Sequence, residues 1–155
     1  MVVISFRGTV CGEDGANADI DFTAEQTPYN LFDCSETATV TTKLHCQVHK
    51  GFSDSYRNLA DSGLNETFRY MITKYNPKKV LITGISLGGA IAALAAYDLS
   101  NSAKDLLQGR DLMVYTFGQP RLGNKDFAKA LNQKLMIYRV VQASDAVPHM
   151  PPRLS

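Results

Sequence analysis

The chain has 155 residues, 45% of them hydrophobic and 20% charged, which bounds it to a single ordinary globular domain with apolar material for a real core. Sixteen basic and 15 acidic side chains leave a formal net charge of +1, which points away from nucleic acid as a partner. Cys11, Cys34 and Cys46 contain no C-x-x-C pair, so a zinc site is not expected; one disulfide with a free thiol and three thiols both remain open, and so does the compartment.

The amino terminus, Met1-Val2-Val3-Ile4-Ser5-Phe6-Arg7, lacks the long apolar core of a signal peptide. Val2 to Phe6 reads as a short buried strand, ended by Arg7-Gly8-Thr9. Residues 10–36 are polar and acidic, with Glu13, Asp14, Asp19, Asp21, Glu25 and Glu36. That stretch is too long for an ordinary connection and reads as a functional loop or lid. The threonine and valine content of residues 37–48 suggests a strand. Across residues 53–75, Tyr56, Leu59, Ala60, Leu64, Phe68, Met71, Ile72 and Tyr75 recur at helical spacing, which predicts one long amphipathic helix stopped by Asn76-Pro77.

Lys79-Val80-Leu81-Ile82-Thr83 reads as the next strand, with a helix following over residues 87–99. Residues 112–117 predict another strand, closed by Gly118-Gln119-Pro120-Arg121. A helix suits residues 124–131, and a final strand suits 135–141. The uncharged run 80–97 approaches the length of a membrane span, but three glycines and a serine break it, so no transmembrane segment is expected. Strands alternating with helices imply the α/β class, a mostly parallel sheet with helices on both faces.

Between the strand at 79–83 and its helix stands Gly84-Ile85-Ser86-Leu87-Gly88-Gly89. G-x-S-x-G is a weak pattern when bare. Flanked by a β-rich run and an alanine-rich run, it reads as a nucleophile elbow. A serine hydroxyl attacks a carbonyl only when a base removes its proton and the side chain stands clear of the backbone. A strand-to-helix turn lifts it clear, and the crowding this creates demands small residues two positions either side, here Gly84 and Gly88. The first N–H groups of the helix are outside its hydrogen-bond ladder, so the Leu87 N–H is placed to meet an oxyanion.

An acyl hydrolase of this kind needs an acid and then a histidine after the serine. Asp145 follows the last predicted strand, where functional residues of parallel sheets gather. The competing reading is an Asx-turn ahead of Pro148. His45 and His49 precede the serine, and core or surface roles suit them. His149 follows Asp145 by four residues inside Val147-Pro148-His149-Met150-Pro151-Pro152, an extended loop that would carry it away from the acid. The base is therefore expected outside these residues.

The chain resembles the class 3, fungal-type lipases of the α/β-hydrolase superfamily. The resemblance rests on five blocks in order. They are Val3-Ile4-Ser5-Phe6-Arg7-Gly8-Thr9; Val48-His49-Lys50-Gly51-Phe52 with Ser55-Tyr56; Ile82-Thr83-Gly84-Ile85-Ser86-Leu87-Gly88-Gly89-Ala90; Tyr115-Thr116-Phe117-Gly118-Gln119-Pro120-Arg121 with Gly123-Asn124; and Tyr138-Arg139-Val140 with Asp145-Ala146-Val147-Pro148. The resemblance implies Ser86 as nucleophile, Asp145 as the acid, and Thr9 and Leu87 as oxyanion-hole donors. It implies an architectural role for the block holding His49. It also implies a carboxylic ester hydrolase, foremost a triacylglycerol lipase, with a lipid ester as substrate, transient contact with a lipid interface, and no metal or organic cofactor.

Three departures qualify this. Ile85 stands where the family usually has histidine, a position variable in the general elbow pattern. Residues 10–25, in the place of the family's lid, are acidic, with Val10, Ile20 and Phe22 the only sizeable apolar side chains. This favours less interfacial activation and brings feruloyl-esterase-like or phospholipase-like hydrolysis into view. Finally, residues 1–155 read as one incomplete domain, a central fragment truncated at both ends. A catalytically inactive lipid- or partner-binding remnant is the alternative that follows from an absent base.

Overall fold

The computed structural model describes residues 1–9 and 45–151, together with the backbone of residues 26–28. In chain order the described elements begin with strand β1 (Val2–Phe6) and the short strands β2 (Gln26–Pro28) and β3 (Gln47–His49). Helices α1 (Lys50–Leu59) and α2 (Asn65–Tyr75) follow, then β4 (Lys79–Ile85), α3 (Leu87–Ser102) and the single turn α4 (Lys104–Leu107). Strand β5 (Asp111–Phe117), helix α5 (Lys125–Lys134) and strand β6 (Ile137–Val140) complete the order. Strands β1, β4, β5 and β6 form one parallel sheet in that order, while β2 and β3 pair antiparallel.

The register puts Val2, Val80 and Leu112 in one row, and Ile4, Ile82, Val114 and Ile137 in another. Val2, Val80, Ile82 and Val114 on this face are buried. Helix α3 covers them. Every residue from Gly88 to Leu99 is buried, all but Tyr97 and Asp98 being small or aliphatic, because the sheet lies on one side and α1 on the other. Its alanines let both neighbours approach closely. Leu94 is fully buried there, and truncating such a side chain to alanine costs about 2–5 kcal/mol. Tyr97 packs edge-on against Phe127 of α5.

The opposite face carries rows Ser5-Thr83-Tyr115-Tyr138 and Ile85-Phe117-Val140. Ile85 is 57% exposed, Phe117 43% and Val140 47%, and the rings of Tyr115 and Tyr138 stack 4.6 Å apart. The parallel α/β arrangement is therefore present as expected, and its helices, among the described residues, lie over one face.

The long helix expected over residues 53–75 is broken. It starts earlier, at Lys50, and a π-turn at Ala60–Leu64 divides α1 from α2. Gly63 has φ of +97° there, a left-handed conformation that a helix interior does not tolerate. Periodicity survives across the break because both halves send apolar residues to the same core: Phe52 and Tyr56 from α1, Phe68 and Ile72 from α2. The predicted stop at Asn76-Pro77 is where α2 ends. Asn76 takes φ of +40° and donates its N–H to Ile72 O.

Of the strand suggested within residues 37–48, the described part is Gln47 and Val48 of β3; residues 37–44 lie outside the described residues, as does the acidic stretch 10–25. Cys46 is disulfide-bonded, which removes the three-thiol alternative; Cys11 and Cys34 lie outside the described residues. No helix among the described residues is long and apolar enough to cross a membrane.

Candidate active site

Ser86 occupies a single-residue turn between β4 and α3, with φ of +53° and ψ of −124°. Such a conformation persists only when its surroundings over-determine it. Here the Ser86 N–H donates to Phe117 O at 2.8 Å, and Ser86 O accepts from the N–H groups of Gly89 and Ala90 at 2.9 and 3.3 Å. Both sides of the turn are thereby pinned.

The glycine spacing follows from contact distances. A Cβ on Gly84 would fall 2.1 Å from Gly88 O. One on Gly88 would fall 2.2 Å from Phe6 O and 2.4 Å from Arg7 O. The elbow is thus wedged against the end of β1 as well as against itself. That wedge brings the Arg7-Gly8-Thr9 segment to the serine: the Cβ position of Gly8 lies 3.5 Å from Ser86 Cβ. The Thr9 hydroxyl is buried and has no hydrogen-bond partner among the described residues. Buried polar groups are rarely left so.

Asp145 emerges beyond the end of β6, with β5 between it and Ser86. Its Oδ1 accepts from the Val147 N–H at 2.9 Å, the bond of an Asx-turn. Its Oδ2 faces the bend after β5, 3.0 Å from the Cβ position of Gly118, whose φ is +57°. Gly118 in turn donates its N–H to Val140 O at 2.9 Å. Two backbone bonds, Ser86 to Phe117 and Gly118 to Val140, therefore stitch three successive strand ends into one edge. The Asx-turn is therefore present, and it engages one carboxylate oxygen, Oδ1.

The imidazoles are elsewhere. His49 is buried and its ring lies tilted by 31° against Phe52, centroids 4.2 Å apart. Its segment is tied to the block around Asn124, whose side chain accepts from the N–H groups of Gln47 and Phe127 and donates to His45 O. His149 lies at the end of a 3-10 turn (Val147–His149). Among the described residues neither Ser86 nor Asp145 shares a hydrogen bond with an imidazole. A groove of about 690 Å³ floored by Leu107, Leu112, Leu135 and Met136 opens at the opposite end of the strands and includes none of these candidate residues.

Two residues near the site escaped attention in the sequence beyond their place in motif blocks, Arg121 and Arg139. Burial, and then the charge of Arg121, lower the pKa of Arg139. Their sequence signal is their place in those blocks, Phe117-Gly118-Gln119-Pro120-Arg121 and Tyr138-Arg139-Val140.

The chain is similar to known proteins in sequence and in fold. A lipase of Rhizomucor miehei is 42% identical over 107 residues, 68% of this chain and 29% of that protein. Triacylglycerol lipase OBL1 of Arabidopsis thaliana is 32% identical across 97% of this chain and 34% of its own length. The solved lipase of Rhizopus microsporus var. chinensis superposes with a TM-score of 0.74 at 34% identity, covering 97% of this chain and 48% of that one. A solved triacylglycerol lipase whose catalytic centre is described as a serine protease triad superposes at 0.63 with 38% identity, over 74% of this chain and 43% of that one. The chain thus spans about a third of the length of these two curated relatives. With the family model described as Lipase (class 3) matching residues 3–155, the chain belongs to the class 3 lipase family.

Proposed function

We propose that the protein carrying this chain is a carboxylic ester hydrolase acting foremost on triacylglycerol, with Ser86 as nucleophile and Asp145 as the acid that orients its base. The observation that carries this is the pinned turn at Ser86, set against a segment whose buried Thr9 hydroxyl has no partner among the described residues. Residues 1–155 then form part of one hydrolase domain. Membership of a lipase family supports a lipid ester as substrate. Transient contact with a lipid interface follows from the insolubility of such an ester.

The chemistry runs through an acyl-enzyme. Ser86 Oγ adds to the ester carbonyl as an imidazole takes its proton. The carbonyl oxygen becomes an oxyanion, held by the Leu87 and Thr9 N–H groups with the Thr9 hydroxyl as a further donor. The tetrahedral species collapses, the C–O bond to the alcohol breaks, and the imidazolium protonates the departing alkoxide. Water then repeats the sequence on the acyl-serine, releasing the carboxylic acid and restoring Ser86. Asp145 keeps the imidazole in the tautomer that can accept the serine proton. We assign the base to a histidine outside residues 1–155, since the imidazoles of the described residues are not bonded to either partner.

The test is hydrolysis of tributyrin and of p-nitrophenyl butyrate by the full protein. Ser86→Ala should lower kcat by more than about 10³-fold, and His149→Ala by less than about threefold. Turnover that survives Ser86→Ala would refute the serine mechanism. Turnover abolished by His149→Ala would move the base into this chain. A well-folded protein inactive on both esters would favour a non-catalytic binding role.

A further inference from the structure

Four consecutive backbone carbonyls of the segment that follows Asp145 are taken up by two arginines. Arg139 Nη2 donates to Pro148 O at 2.8 Å. Arg121 Nη1 donates to His149 O at 2.6 Å and to Pro151 O at 2.9 Å. The backbone N–H of Arg121 donates to Met150 O at 2.6 Å. Arg139 also reaches the other way, its Nε and Nη2 both donating to Gln119 O.

These bonds are the main attachment the segment has. Of residues 141–151, only Pro148 and Pro151 are buried. Packing therefore does little to fix where the loop lies. Gln119, by contrast, is buried, and its Cβ stands 3.1 Å from the Cβ position of Gly89 in the first turn of α3. Arg139 thus joins the loop of the acid to a residue wedged beneath the helix of the serine. The join is direct: Pro148 O and Gln119 O are held by one planar guanidinium.

The arrangement is electrostatically uneconomical. Two guanidiniums lie close enough for the charge of one to lower the pKa of the other, and neither forms an ion pair among the described residues. Stability alone would be served more simply by an arginine paired with a carboxylate. What carbonyl acceptors provide is geometry. A planar fork holding two backbone oxygens fixes a distance between two loops, which a single ammonium on a flexible stem does not.

We propose that Arg121 and Arg139 are positioning residues: a guanidinium latch that sets where Asp145 stands relative to Ser86. The proposal rests on the reading of those two residues given above. Asp145 Oδ2 already lies against the bend at Gly118, so drift of the loop moves the carboxylate directly.

The test uses the full protein with p-nitrophenyl butyrate. Arg139→Lys keeps the charge and loses the bridge. It should lower kcat about 10- to 100-fold, with KM changing less than about threefold, as expected for a misplaced catalytic group. In an Asp145→Asn background the same substitution should cost less than about twofold, because the group it positions has already been disabled. Losses that multiply, or an Arg139→Lys enzyme within about twofold of the parent, overturn the latch.

Amide exchange gives a readout independent of catalysis. In Arg139→Lys and Arg121→Lys, the amides of Val147, His149 and Met150 should exchange at least about tenfold faster, while β4 and α3 keep parental protection. Parental exchange at those amides overturns the proposal, and so does loosening spread evenly over the sheet. Ser86→Ala is the separate control. If it leaves hydrolysis intact, the serine reading has failed, and exchange alone decides the latch.

Discussion

Gly88 sits so close to the end of β1 that a Cβ on it would fall 2.2 Å from the carbonyl oxygen of Phe6. The glycine of the elbow is therefore also the contact between the helix of the serine and the strand that leads to Thr9. One atom's absence holds two parts of the site together, and backbone on backbone leaves no side chain able to yield.

Gly88→Ala should accordingly displace β1 or α3 and destabilise the fold by more than about 3 kcal/mol, in the range of overpacked cores and beyond. Gly109→Ala is the control. Gly109 has positive φ, +75°, which Gly88 within α3 does not, and nothing lies within 4 Å of its Cβ position. Its cost should be near 1 kcal/mol, from backbone strain alone. Denaturant melts of both variants check this; equal losses would show that crowding at Gly88 is not the cause.

Thr9→Val should separate stability from activity. Valine matches the shape of threonine and removes a buried hydroxyl that has no partner among the described residues. Loss of an unpaired polar group is neutral or stabilising, so the melting temperature should hold or rise. Hydrolysis should fall about 10- to 1000-fold if the hydroxyl meets the oxyanion. A variant that is less stable and fully active would place the hydroxyl in the fold instead.

Asp98 predicts a pH dependence. It is buried in α3, accepts a hydrogen bond from the Tyr56 hydroxyl, and is bonded also to Asn65. Burial raises its pKa above the ordinary 3.8, and the two hydrogen bonds only partly oppose this. The folded state therefore holds this proton more tightly than the unfolded state. The stabilising contribution is complete below the ordinary pKa and is lost as pH rises through the raised one. Asp98→Asn cannot ionise, so it should gain stability relative to the parent as pH climbs from about 4 to 8. Melting curves across that range test the sign; a gap that widens toward acid would refute it.

The exposed face of the sheet predicts association. Ile85, Phe117, Tyr138 and Val140 present a contiguous apolar surface, and such surfaces rarely stay bare. The 155-residue chain in isolation should self-associate at micromolar concentration. Tyr138→Lys with Val140→Lys should shift it toward monomer, as read by sedimentation. A parent chain that sediments as a monomer and melts cooperatively would contradict this.

The elbow was legible because its rules are local. Gly84, Ser86 and Gly88 must be two residues apart whatever surrounds them, and the strand and helix that flank them have short periods written into adjacent residues. The same holds for β5, β6 and the stop at Asn76, and for Asp145 at the end of a strand. The kink was less visible, since the apolar spacing of α1 and α2 continues across Gly63 and a lone glycine signals a break only weakly.

Other features depend on residues far apart in the chain. Gly8 meets Ser86 because β1 runs beside β4. Asp98 resists ionising because α1 lies over it. Arg121 and Arg139 read as ordinary surface charges until the chain returns past them and offers Pro148, His149, Met150 and Pro151 as acceptors. Periodicity and steric rules act between neighbours, so they can be read along the chain. Burial, desolvation and carbonyl acceptors come from whatever folding brings alongside, so they can be read only once the strands are in register.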